Sequence, residues 1–259
     1  MSVELLAPAG GKEALVAAIQ NGADAVYLGA QMLNARAGAG NFDRDALRWA
    51  VEYAHERGAR IHVTVNTMVK ESEGDLLEQV AEQIAFAGAD AAIVQDLGAA
   101  RALRAMLPSL QLHASTQMAV HNRQGVRFAK TAGFDRVVLA RELTFEEIAD
   151  CAREDIELEA FAHGALCVSC SGQCLFSSLV GGRSGNRGQC AQPCRLPYRL
   201  EGAQRPVDAG SPGRFAAGGR VQPENRGTAQ AARIRGGGDA GVPRGPRPAG
   251  NLRRIRAGG

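Results

Sequence analysis

The chain has 259 residues, 45% of them hydrophobic but only 5% aromatic, and a net charge of +3. This suffices for one barrel-sized domain with an aliphatic core, and the lack of any apolar run of about 18 residues excludes a helical membrane span. Met1-Ser2-Val3-Glu4 shows no basic stretch leading into an apolar one, so no secretory leader is expected and a cytoplasmic setting follows; there, six cysteines point to metal or redox chemistry rather than disulfides.

From the N-terminus, short apolar runs alternate with amphipathic stretches. The runs at 4–8, 25–29, 60–66, 91–95, 111–115, 136–139 and 157–162 read as buried parallel strands. Between them, 12–21, 43–57, 73–87, 98–107, 122–132 and 144–153 read as helices. Gly22, Gly58, Gly88 and Gly133 stand where a left-handed C-cap is expected. The phrases Asn21-Gly22-Ala23-Asp24-Ala25, Ala87-Gly88-Ala89-Asp90-Ala91 and Ala132-Gly133-Phe134-Asp135-Arg136 recur at helix-to-strand junctions, so one supersecondary unit is used repeatedly. Seven strands and six helices imply an α/β fold with a parallel sheet. A doubly wound sheet is the alternative, but Pro8-Ala9-Gly10-Gly11 is not the G-x-G-x-x-G of a dinucleotide site. A parallel (β/α)n barrel is therefore expected, incomplete at seven strands and with two open edges.

The pattern stops after Tyr198-Arg199-Leu200. In 201–259, Gly (14), Arg (11), Ala (10) and Pro (6) make up 41 of 59 residues, and eleven Arg against four acids give this stretch +7 and the remainder −4. No helix or strand period survives, so a disordered tail is expected. One reading is a basic, RGG-like arm for nucleic acid. The other is the product of a shifted reading frame, because GC-rich codons read out of frame yield Arg, Gly, Ala and Pro, and residues 1–200 already use 16 Arg against 3 Lys. The abruptness of the break favours the second. The chain thus divides into a barrel body (1–166), a Cys-rich segment (167–200) and the tail (201–259).

In a parallel barrel, chemistry gathers at the C-terminal ends of the strands. Those ends carry Pro8-Ala9-Gly10, Gly29, Asn66-Thr67, Gln95-Asp96, Ser115-Thr116-Gln117, Arg141-Glu142 and His163. Asp96, Gln117 and His163 are the candidate catalytic residues. Asp96 and Thr144 compete with a helix-capping role, and His163 stands just before the cysteines. His113, in mid-strand, reads as an interior histidine, and His55 and His62 as structural.

Five of the six cysteines, Cys167, Cys170, Cys174, Cys190 and Cys194, crowd behind the last strand. Thiolates are soft ligands that hold iron–sulfur clusters or zinc. Cys167-x2-Cys170-x3-Cys174 with Cys190-x3-Cys194 partly mimics the paired knuckles of structural zinc, whereas a cluster tolerates wider spacing. Arg183, Arg187 and Arg195, set among glycines, are the candidate substrate-binding residues, with charge for a cluster or a phosphate; the alternative is an ordinary solvated loop. Cys151, on a predicted helix, reads as a buried small side chain.

At this point the sequence resembles the peptidase U32 family, the collagenase-like proteases, whose signature runs Glu-x-Phe-x2-Gly-[Ser/Ala]-aliphatic-Cys-x4-Gly-x-Cys-x-aliphatic-Ser. Glu159, Phe161, Gly164, Ala165, Leu166, Cys167, Gly172, Cys174 and Ser177 match it, and Phe176 departs from it. The phrases Glu4 to Gly10, Asn21 to Tyr27, Asn34-Ala35-Arg36, His113 to Gln117 and Gly188 to Arg195 are also similar to this family. The resemblance spans 1–200 and stops at the composition break, which identifies the chain as a C-terminally truncated or frameshifted member. It implies a TIM-barrel-like domain, and either peptidase activity or hydroxylation of tRNA or rRNA with prephenate implicated. It also implies a 4Fe–4S cluster on four cysteines: Cys167, Cys174 and Cys190 match the first three ligands, and the fourth falls in the replaced region. Either Cys194 or Cys170 substitutes, or the cluster is incomplete.

Three functions compete: iron–sulfur-dependent RNA hydroxylation, a peptidase of collagenase type, and an inactive fragment. The peptidase lacks His-Glu-x-x-His and Gly-x-Ser-x-Gly. A Cys167–His163 pair is conceivable, although a loop of five cysteines matches one activated thiol poorly.

Overall fold

The computed structural model describes residues 3–35, 40–164, 166–198, 207–208 and 230–235. Seven strands, β1 (Leu5–Ala9), β2 (Ala25–Gly29), β3 (Arg60–Val65), β4 (Ala91–Val94), β5 (Gln111–Ala114), β6 (Arg136–Val138) and β7 (Glu157–His163), pair in parallel and in chain order. Between them run α1 (Lys12–Gln20), α2 (Arg44–His55), α3 (Gly74–Ala87), α4 (Leu97–Met106), α5 (Arg123–Thr131) and α6 (Phe145–Cys151). Four of these helices begin where side chains accept their free N–H groups: Asp43 from Ala46, Asp96 from Ala99, Asn122 from Gly125, and Thr144 from Glu147 in a capping box. Beyond β7 come α7 (Phe176–Gly181) and three strands, β8 (Pro197–Tyr198), β9 (Val207–Asp208) and β10 (Gln230–Arg235). Among the described residues no helix is long and apolar enough to cross a membrane.

The barrel is closed, and this differs from the two open edges expected of seven strands. β10 runs antiparallel to both β1 and β7 and fills the eighth position. Sheet edges present unpaired N–H and C=O groups that any extended segment within reach can satisfy. A strand from a sequence without strand periodicity can do this, because backbone groups alone are needed. β9, which pairs with β8, is the other described part of 201–259; the rest of the expected tail lies outside the described residues.

Period-two alternation sorts the strand residues. On β3, Ile61, Val63 and Val65 are fully buried in the core shared with the helices, while His62 and Thr64 face the barrel interior. The His62 and His113 rings meet edge to face at 4.7 Å, and His113 is buried in the interior as expected. Leu6, Ala25 and Tyr27 form a separate small apolar cluster, which the same alternation places in the lumen. Cys151 is fully buried in the helix-layer core.

The recurring Gly-x-Asp phrase has a structural reason. Asp24, Asp90 and Asp135 each clasp the preceding strand at two points. Their N–H groups donate to the carbonyls of Leu5, Ile61 and Leu112 at 2.8–3.0 Å. Their carboxylates accept from the N–H groups of those same residues at 2.7–2.8 Å. Three strand pairs are thus fastened at the barrel end opposite the cysteines.

Candidate functional site

The Cys-rich segment crosses the C-terminal mouth of the barrel and is pinned at four places. Ser171 donates its N–H to Glu142 at 2.8 Å, and its hydroxyl lies 3.2 Å from both oxygens of that carboxylate. Gly172 (φ +73°) lies flat on the turn after β5, where a Cβ would fall on the carbonyl oxygen of Gln117. Gly188 (φ +74°) approaches Asn34 and Ala35 in the same way. Arg187 makes a two-pronged bond to Glu73, one arm at 2.7 Å, and also donates to the Met68 carbonyl. The bond from Arg187, helped by the Lys70 N–H, holds the Glu73 carboxyl down at about 2.

Of the three expected substrate-binding arginines, Arg187 is bonded to Glu73 and Met68 and anchors the loop. Arg183 and Arg195 are exposed, Arg183 donating to the Gln189 carbonyl at 3.1 Å. His163 ends β7, also exposed. Asp96 performs the capping role: one oxygen accepts from Ala99 at 3.0 Å, the other from Val69 at 3.2 Å.

Cys174 and Cys194 are half-buried, and Cys167, Cys170 and Cys190 exposed. Burial pushes the Cys194 thiol up; neighbouring Arg195 opposes this, and the charges of Cys190, Cys174 and Cys167 reinforce it. The charges of three other thiols of the segment thus reach Cys194. Gly185 lies beside two of these cysteines: a Cβ there would lie 3.7 Å from the Cys190 Cβ and 3.8 Å from the Cys174 carbonyl. Among the described residues, no three Cys, His, Asp or Glu side chains are placed to hold a single metal ion.

Next to this loop a cavity of about 530 Å³ opens between the ends of β4 and β5 and the starts of α4 and α5. Gln95, Gln117, Leu97, Asn122, Phe128 and Gln173 line it. Sequence reasoning missed Gln95 as a site residue, and it missed the anchors Glu73, Glu142 and Ser171. Gln95 and Glu142 stood at strand ends, whereas Glu73 and Ser171 lie eight residues past β3 and β7 and carried no such signal.

Such an architecture, a parallel barrel with a thiol-bearing loop clamped over its C-terminal mouth, defines a class of α/β barrel proteins whose chemistry sits at that rim. Residues 10–230 match the model of peptidase family U32, and the chain belongs to that family. It is 43% identical over 205 residues to the 23S rRNA 5-hydroxycytidine synthase of Escherichia coli K12, covering 78% of this chain and 30% of that protein. It is 41% identical to tRNA hydroxylation protein P1 of Bacillus subtilis, covering 76% and 47%, and 36% identical to a collagenase of Porphyromonas gingivalis, covering 76% and 50%. The chain thus spans half or less of the length of these relatives. The solved structure of the U32 peptidase Mk0906 superposes with a TM-score of 0.47 at 15% identity, covering 58% of this chain and 65% of that one.

Proposed function

We propose that this chain is the barrel portion of an RNA-hydroxylating enzyme acting on a tRNA or rRNA pyrimidine, with Cys167, Cys174, Cys190 and Cys194 as the holders of a 4Fe–4S cluster. The observation that carries this reading is the fourfold pinning of the cysteine loop across the strand ends, which fixes thiols beside a cavity. The relatives named for RNA hydroxylation support the substrate class. The donor set is chemically suited to iron and sulfide, because thiolates are soft ligands and the charges of Cys190, Cys174 and Cys167 all act on Cys194. A four-iron cluster takes each thiolate on a different iron, so it asks for a wider set than tetrahedral zinc does. When bound, the cluster would supply electron transfer or substrate activation.

The protein's own residues have separable tasks in this reading. Ser171, Gly172, Arg187 and Gly188 hold the loop. Arg183 and Arg195 offer exposed charge to phosphates. Anaerobic purification with iron and sulfide analysis tests the cluster: brown protein that loses iron on Cys194→Ser is expected, and colourless protein that binds stoichiometric zinc overturns it. Mass spectrometry of RNA from a deletion strain tests the substrate class; unchanged pyrimidine hydroxylation rejects it.

A further inference from the structure

The cavity beside the cysteine loop has an unmet chemical demand. Gln95 is 9% exposed. Its Nε2 lies 3.5 Å from the Gln117 carbonyl oxygen, and Oε1 is the other end of the amide. That Oε1, and the Oε1 of Gln117, are buried with no hydrogen-bond partner. A buried acceptor without a donor is costly, and both residues line this cavity. Asp96, also in the wall, makes no such demand, because both its oxygens are occupied.

The other walls narrow the choice of ligand. Leu97 and Phe128 are about half exposed and give the cavity apolar faces, one of them aromatic. The first turns of α4 and α5 border it through Gly98, Asn122 and Gly125, which brings the positive ends of two helix dipoles to the rim. Gln173, directly before Cys174, closes the side next to the thiols. N–H donors opposite the amides, a flat ring against the apolar face and a phosphate near the helix starts together describe a nucleotide.

Building on the RNA reading above, we propose that this cavity seats a single pyrimidine base turned out of its stack, with Gln95 and Gln117 accepting hydrogen bonds from the base edge. A stacked or paired base cannot offer that edge, so the RNA is bound with one base everted. The N4 amino group of cytidine and the N3–H of uridine both supply the donor; the experiment distinguishes them.

Short single-stranded RNAs carrying one 5-iodocytidine or one 5-iodouridine are photocross-linked to the full chain, and the attached peptide is located by mass spectrometry. RNA retention is measured in parallel by filter binding. A cross-link within 117–128 is expected from at least one of the two RNAs, and the more efficient one identifies the base. Gln95→Leu and Phe128→Ala lower its yield per bound RNA about tenfold. Phe128 is exposed, so its variant decides if Gln95→Leu fails to fold. RNA that binds but cross-links only elsewhere, or equally in both variants, overturns the base pocket and leaves the RNA reading standing. A chain that retains neither RNA overturns both.

Discussion

Arg136 lies wholly inside the lumen with none of its side chain exposed. It meets Glu4 at 2.8 Å, Glu157 at 3.2 Å and Glu159 at 3.4 Å, and Arg60 joins the group through Glu4. Burial, partly offset by Arg136, pushes the Glu159 carboxyl up to about 7. Between an unfolded value of 4.5 and about 7 the folded chain therefore holds a proton that the unfolded chain releases. This group's contribution is complete below pH 4.5 and is lost as pH rises through about 7. The magnitude is on the order of 3 kcal/mol. Glu159→Gln is expected to remove that slope, and urea midpoints compared at about pH 5 and about pH 8 check it; an unchanged slope places the titration elsewhere. This cluster was not legible in the sequence, since Arg136 and Glu4 are 132 positions apart and no local pattern reports such a pairing. Gln117 and the cysteines were legible, because strand-end position and thiol density are local signals. Gln95 was visible only as a strand-end residue, since an unpaired amide oxygen shows itself only in three dimensions.

Among the elements, the strand and helix limits agree with periodicity to within two residues, because each strand is buried on both faces and each helix carries one apolar side. The repeated Gly-x-Asp phrase was also legible, but its purpose was not: the carboxylate reaches across to the neighbouring strand. Asp90→Ala removes an acceptor from the Ile61 N–H and from His55 at 3.0 Å. It is expected to cost about 1–2 kcal/mol in urea unfolding without altering RNA retention. At the opposite end, the Arg187–Glu73 bond fastens a loop and not the core. Its contribution is present above pH 4.5 and falls away as pH drops toward about 2, because the Glu73 carboxyl is held low by Arg187. Arg187→Ala is expected to speed proteolysis within 167–198 severalfold and to lower iron content, while the thermal midpoint moves by about 2 °C or less. A large fall in that midpoint would show that the loop is instead part of the cooperative barrel.

At the scale of the molecule, closure is the feature that patterning could not foresee. Seven parallel strands leave β1 and β7 each with one unpaired side, and β10 covers both, pairing Leu5 with Ala232 and Glu157 with Arg235 along its two edges. Because the pairing is made by backbone, it is compatible with a segment whose composition is dominated by Gly, Arg, Ala and Pro. The same physics sets the consequence of losing it: two bare edges on one molecule are complementary to those on another. A chain ending at residue 200 is expected to self-associate as its concentration rises, whereas the 259-residue chain stays monomeric by sedimentation. Ala232→Pro, which deletes one backbone donor from β10, is expected to lie between the two. If the shortened chain sediments as a monomer at every concentration, edge pairing by β10 is not what keeps the barrel from self-associating, and another part of the chain must shield β1 and β7.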